Sequence, residues 1–300
     1  GYPVKLFDSE ASEKGVTDYA NTVYRLALDW DSELDFPTLF SHFLTRPSSA
    51  QTPAMIIGQF HGDDPGRGSE EVVQLLVSAQ PKLPQLRGIF IGDVVSEENE
   101  ISWIIQTDVS PLLVAYPKLE HLRLRGTGEL SLGSRLAHQK LKSLTIETGG
   151  LPPRLLQEVL ASQLPVLESL ELWLGTPNYG GDVTVPELQP LLSGKLFPAL
   201  KHLGLRDSEI IDDIAAALPS AQILSRLESL DLSLGTLSDA GGKELLDNPG
   251  LKRLKRLDLH HHYLSEEMMA ALKRVLPAAN VDDPQGNDTS LDDRYVAVSE

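Results

Sequence analysis

Leu227-Glu228-Ser229-Leu230-Asp231-Leu232-Ser233-Leu234-Gly235-Thr236-Leu237 and Leu254-Lys255-Arg256-Leu257-Asp258-Leu259-His260-His261-His262-Tyr263-Leu264 state one pattern twice, 27 residues apart. Each reads L-x-x-L-x-L-x-x-z-x-L. In such a stretch alternate apolar residues face one side of a short strand, and the intervening residues face the other. One copy cannot bury its own apolar side, so the pattern calls for stacked neighbours.

Those neighbours lie upstream. The register opens at Leu86, Leu119, Leu141, Leu167 and Leu200, with weaker versions from Val23 (VYRLAL) and Thr52 (TPAMII). Successive starts are 29, 34, 33, 22, 26, 33, 27 and 27 residues apart, which makes about nine repeats. Apolar-periodic segments at 36–44, 70–79, 210–218, 238–246 and 265–276 predict helices covering the back of a parallel sheet, an α/β arrangement. Ser69 is placed to cap the helix that opens with Glu70 and Glu71, and Thr184-Val185-Pro186-Glu187 has the spacing of a capping box. The chain divides into a lead-in over 1–22, a repeat domain over 23–277 and an acidic flexible tail over 278–300. A stack growing along one axis needs no internal boundary.

Composition narrows the partners. A formal charge of −17 argues against phosphate backbones and anionic membranes, which need a basic surface, and favours a protein or peptide with a basic surface. There is no cysteine, so disulfides, thiolate nucleophiles and cysteine-held metals are excluded. No apolar run approaches the roughly 18–20 residues of a membrane helix, and the start at Gly1-Tyr2-Pro3 lacks the shape of a signal peptide. A cytoplasmic monomer is expected.

Seven clear copies of the motif resemble the leucine-rich-repeat proteins over roughly residues 20–277. That resemblance implies a horseshoe solenoid with a concave parallel sheet and convex helices. The usual asparagine at position nine is missing, replaced by Thr127, Gly149, Gly175, Ser208, Gly235 and His262. More narrowly, IGDVVSEENEISWI (91–104), LHHHYLS (259–265) and YVAVSE (295–300) resemble a bacterial family of leucine-rich-repeat-like proteins. The likeness implies genes beside those of radical S-adenosylmethionine enzymes, and no biochemical activity comes with it.

Motif positions three, five and seven face away from the leucines, and stacking brings equivalent positions within about 4.8 Å of one another. Position five runs Thr145, Glu171, Gly204, Asp231, Asp258, and position seven runs Glu147, Trp173, Arg206, Ser233, His260. The candidate partner-binding residues are therefore Glu147, Glu171, Trp173, Arg206, Asp231, Asp258 and His260. Trp173 and Arg206 are expected to face solvent as anchors. Insertions at 92–105 and 175–182 fall on one edge of the sheet, where partners are often recognised, with Trp103 expected to pack inward beside Ile101, Ile104 and Ile105.

Catalytic readings are weaker. Asp231 and Asp258 would be adjacent carboxylates able to share a proton or grip a cation, but a smooth sheet offers no cleft for a hydrolase. His260 and His262 could meet a metal together with Asp258, while a structural role suits His262 better because it holds the turn position. The glycine-rich stretch 62–69 lacks the P-loop lysine, and Asp63 and Asp64 would repel an anion. No H-E-x-x-H or G-x-S-x-G occurs. The expectation is a non-catalytic binding scaffold without cofactor or metal. Arg294, Tyr295, Val296, Ala297, Val298, Ser299 and Glu300 alternate as a strand would, and the alternative is a carrier whose tail a partner enzyme recognises or modifies.

Overall fold

Every clear copy of the motif becomes a strand that starts two residues after its first leucine. The computed structural model describes residues 2–8, 18–29, 31–62, 64, 66–286 and 294–299. Its strands are β1 (Val4–Leu6), β2 (Val23–Leu26), β3 (Ala54–Ile57), β4 (Gly88–Ile91), β5 (Ile105–Asp108), β6 (His121–Arg125), β7 (Thr127–Ser131), β8 (Ser143–Glu147), β9 (Ser169–Gly175), β10 (His202–Ser208), β11 (Ser229–Asp231), β12 (Arg256–Asp258) and β13 (Ala279–Asn280). Eleven of them form one sheet in the order β1-β2-β3-β4-β6-β8-β9-β10-β11-β12-β13, while β5 and β7 pair separately. The helices are α1 (Phe36–Thr45), α2 (Glu70–Ala79), α3 (Ser110–Ala115), α4 (Pro153–Ala161), α5 (Val185–Leu192), α6 (Ile211–Ala217), α7 (Asp239–Leu246) and α8 (Glu266–Val275).

The chain forms two compact units, residues 1–144 with 161–164, and residues 145–160 with 165–299. In the first, α1 packs on α2 and α2 on α3; in the second, α5 packs on α6, α6 on α7 and α7 on α8. Each unit buries a ladder of the same kind. At motif position six Leu26, Ile57, Ile91 and Leu124 are buried in the first unit, as are Leu172, Leu205, Leu232 and Leu259 in the second. Each such side chain contributes roughly 1.5–3 kcal/mol by leaving water.

The first motif is offset from its predicted place. Tyr24 pairs with Met55, and Met55 with Ile89, so the motif starts at Asn21, two residues before Val23. A slip of two leaves the same face buried, because side chains alternate with period two. The lead-in contributes a strand of its own: Val4–Leu6 adds a parallel edge strand, with Val4 opposite Val23. Phe7, Tyr19, Tyr24 and Phe43 close this end of the unit, with the Phe7 and Phe43 rings edge-to-face at 5.2 Å and Tyr19 and Tyr24 at 4.6 Å. Residues 9–17 lie outside the described residues.

Asp35 caps α1 by accepting from Thr38 N–H at 2.9 Å, and Thr184 with Glu187 forms the predicted capping box on α5. Ser238 and Ser265 cap α7 and α8. Ser69 does not cap α2. Its backbone is already turned (φ −74°, ψ 6°), and its hydroxyl instead accepts Thr107 N–H of β5 at 3.1 Å. Trp103 is likewise not packed inward: Ile101 and Ile104 are buried, while Trp103 is 56% exposed. It sits in a short 3-10 turn, and two neighbouring isoleucines already fill the interior.

The tail is not wholly flexible. Past β13, residues 294–299 return to the second unit, where Ala297 N–H donates to Leu234 O at 2.8 Å and Val296 is buried. The acidic residues 287–293 and Glu300 lie outside the described residues. Among the described residues no helix is long and apolar enough to cross a membrane.

Candidate functional site

The face of the second unit opposite the leucines carries its polar chemistry. The register is as predicted: Gly204 stands opposite Glu171 on one side and Asp231 on the other, Arg206 opposite Trp173, and Asp231 opposite Asp258. Because position five of β10 is glycine, the row is interrupted between two carboxylates. The backbone there needs no left-handed conformation, so the glycine supplies space: a Cβ on it would stand 3.0 Å from Glu171 Cγ. The result is a cavity of about 240 Å³, lined by side chains of Glu171, His202, Ser229, Asp231 and Arg256 over the strand backbones.

Arg206 ties the two carboxylates together. Its Nη1 donates to Glu171 Oε1 at 2.8 Å, and its Nε donates to Ser233 Oγ at 3.0 Å and lies 3.4 Å from Asp231 Oδ1. Trp173 Nε1 donates to the same Glu171 Oε1 at 2.8 Å, and Ser233 donates to Asp231 Oδ1 through both N–H and hydroxyl. One oxygen of each carboxylate is thus saturated. Among the described residues nothing bonds Glu171 Oε2 or Asp231 Oδ2, and both side chains keep about a quarter of their exposure. Arg206 sits between these two carboxylates, and Arg256, which also lines the notch, is paired with Asp258.

Several sequence-predicted residues are placed differently from expectation. Trp173 is 6% exposed, because the Arg206 guanidinium lies over its ring at 5.2 Å, so it is a wall and not a solvent-facing anchor. Glu147 is fully buried. It ends β8, three residues before Gly150, which bridges antiparallel to Gly175. Arg206 and His260 are half-buried.

Asp231 and Asp258 are register partners, yet each carboxylate has its own set of hydrogen-bond donors. Asp258, 1% exposed, is held by its own set: His260 Nδ1 at 2.8 Å, Asn280 Nδ2 at 3.0 Å and Arg256 Nη2 at 2.5 Å. Burial pushes its carboxyl up, but these hydrogen bonds outweigh burial and hold it below the ordinary aspartate range. The carboxylates that do converge are Glu171 and Asp231, across a residue whose missing side chain was legible in the row of position-five residues.

The three histidines part company. His262 is buried; its Nε2–H donates to Val281 O at 3.2 Å and its Nδ1 accepts Leu264 N–H at 3.2 Å, which fixes the neutral tautomer. Burial lowers its pKa. His260 faces Asp258, and His261 has a left-handed backbone (φ 57°) that turns it elsewhere. Among the described residues no group of three His, Cys, Asp or Glu is arranged to hold a metal.

The first unit offers a second depression, about 500 Å³, beside the glycine-rich stretch. Glu70, Glu71 and Glu129 line it, and Arg67 is paired with Glu71 at 2.9 Å, so it suits no anion. Asp63 lies outside the described residues. The open face of this unit carries Arg25, Ile56, Phe90 and Arg123 in register, a row hidden in the sequence by the weakness of the first two motifs.

Among solved structures, the crystal structure of a protein from Bacteroides fragilis matches 92% of this chain and 77% of its own length, with a TM-score of 0.84 and 34% sequence identity. At that identity and coverage this chain belongs to the same family as the Bacteroides fragilis protein. No family model and no curated protein matches.

Proposed function

We propose that this member of the family is a leucine-rich-repeat solenoid acting as a non-catalytic recognition module, which takes a basic side chain of a protein or peptide partner into the notch at Gly204. The observation that carries this reading is the pair of free carboxylate oxygens, Glu171 Oε2 and Asp231 Oδ2, facing a gap in the open face of a parallel sheet. An entering ammonium or guanidinium meets charge-assisted acceptors already oriented by Arg206, Trp173 and Ser233, so little ordering cost falls on binding. The chain's charge of −17 steers such partners toward it.

The test is a peptide array in which one central position is varied among Arg, Lys and neutral residues. Wild type retains peptides with a basic centre. The double variant Glu171→Gln, Asp231→Asn loses them; equal retention by that variant overturns the reading. The carrier alternative now requires residues 294–298 to leave the turns that hold them, which a native-host intact mass shifted at this segment would support.

A further inference from the structure

Three non-glycine residues with left-handed backbone occupy one place in three consecutive repeats: Asp207 (φ 51°), Leu234 (φ 68°) and His261 (φ 57°). Each is the eighth residue of its motif, and they are spaced 27 and 27 apart. Non-glycine residues seldom adopt this conformation, and its recurrence marks a row of like-shaped turns.

Across that row the C-terminal segment lies in reverse order. Val298 N–H donates to Asp207 Oδ1 at 2.9 Å, and Ala297 N–H to Leu234 O at 2.8 Å. Tyr295 N–H donates to the Tyr263 hydroxyl at 2.9 Å, which returns a bond to Tyr295 O at 3.1 Å. These contacts read main chain, in the manner of strand addition, although turns supply the acceptors here. Side chains are read at two places: Val296 is buried, and the Arg294 guanidinium lies 5.7 Å from the Tyr263 ring. Tyr295 and Ala297 are exposed.

We infer that this row of turns is a groove for an extended peptide of a partner protein, and that residues 294–298 are its resident occupant in cis. The partner segment it fits carries a basic residue, then two positions on an aliphatic residue that enters the Val296 site, followed by a residue with a free backbone N–H at the Ala297 position. The seated segment buries one side chain, rests Arg294 on the Tyr263 ring and is otherwise held by its backbone, so a competitor with the same pattern can take its place. The groove lies at position eight of the repeats and does not depend on the notch at positions three and five.

The experiment adds a fluorescein-labelled peptide of sequence RYVAVSE to three full-length proteins: wild type, Val296→Asp and Ala297→Pro. The first variant forces a carboxylate into the buried Val296 site, and the second removes the amide that bonds Leu234 O. A covalently joined occupant competes at an effective concentration on the order of millimolar. Both variants are expected to bind the peptide at least about tenfold more tightly than wild type. That gain disappears when Tyr263→Phe is added, or when the peptide carries Asp at its valine that corresponds to Val296. Equal binding by all three proteins overturns the proposal. So does a concentration-dependent dimer of wild type that Val296→Asp abolishes, since the occupant would then come from a second copy.

Discussion

Position five of the motif carries Arg25, Ile56, Phe90 and Arg123 along the first unit, and Glu171, Gly204, Asp231 and Asp258 along the second. One residue further on, both units bury the same ladder of leucines and isoleucines. The fold thus constrains every second residue and leaves the alternate one open to chemistry. In the first unit both cations are engaged. Arg25 Nε pairs with Asp93 at 2.7 Å and its Nη2 reaches Glu98 at 3.2 Å, holding the long insertion after β4, and Gly58 leaves room for it. Arg123 lies 4.4 Å from the Phe90 ring. In the second unit the glycine opens a gap that two carboxylates flank but do not fill.

The largest effects should be common to both halves. Ile57→Ala and Leu205→Ala each remove a fully buried side chain and should cost about 2–5 kcal/mol in urea unfolding. If one of them proves nearly neutral, the shared ladder is not the basis of both units. Arg25→Ala comes next. It strips a partner from two half-exposed carboxylates, so the expected cost is about 1–2 kcal/mol, reduced by solvent screening. Hydrogen exchange should rise over 93–100 and stay unchanged in the second unit; a uniform rise contradicts a local role.

Acid should distinguish the second unit. The folded-state pKa of His262 is depressed, so the unfolded chain binds more protons, and the stability it contributes is present above the ordinary histidine value, about 6.5. That contribution is lost as pH falls through the folded value. Asp258 is also depressed, so its contribution holds above the ordinary aspartate value, about 3.9, and is lost as pH falls below it. His262→Asn should flatten the upper step of a melting-temperature profile against pH and leave the lower one. A profile that the substitution leaves unaltered would mean that His262 does not set the upper step.

Much of the scaffold was legible because leucine at positions one, four and six leaves few alternatives: seven strands begin where the motif places them, and the Thr184–Glu187 box forms as its spacing requires. The first repeat slipped by two because Tyr24, not leucine, holds position four. The site was less legible. Arg206 reads as an anchor in sequence, but in three dimensions it folds onto Trp173 and bridges two acids, a choice made by cross-strand neighbours. The seating of 294–298 depends on hydrogen bonds spanning up to 91 residues, which no local pattern encodes.

Gly204→Leu should cost about 1–2 kcal/mol, since the backbone there suits any residue but the added Cβ stands 3.0 Å from Glu171 Cγ, which must give way. It is also the sharpest probe of the comparison between the two rows. Calorimetric titration of an array-selected basic peptide into wild type, Gly204→Leu and Arg123→Ala tests it directly. Binding is expected to wild type and to Arg123→Ala, with loss in Gly204→Leu. Binding that survives Gly204→Leu, or fails in Arg123→Ala alone, contradicts it.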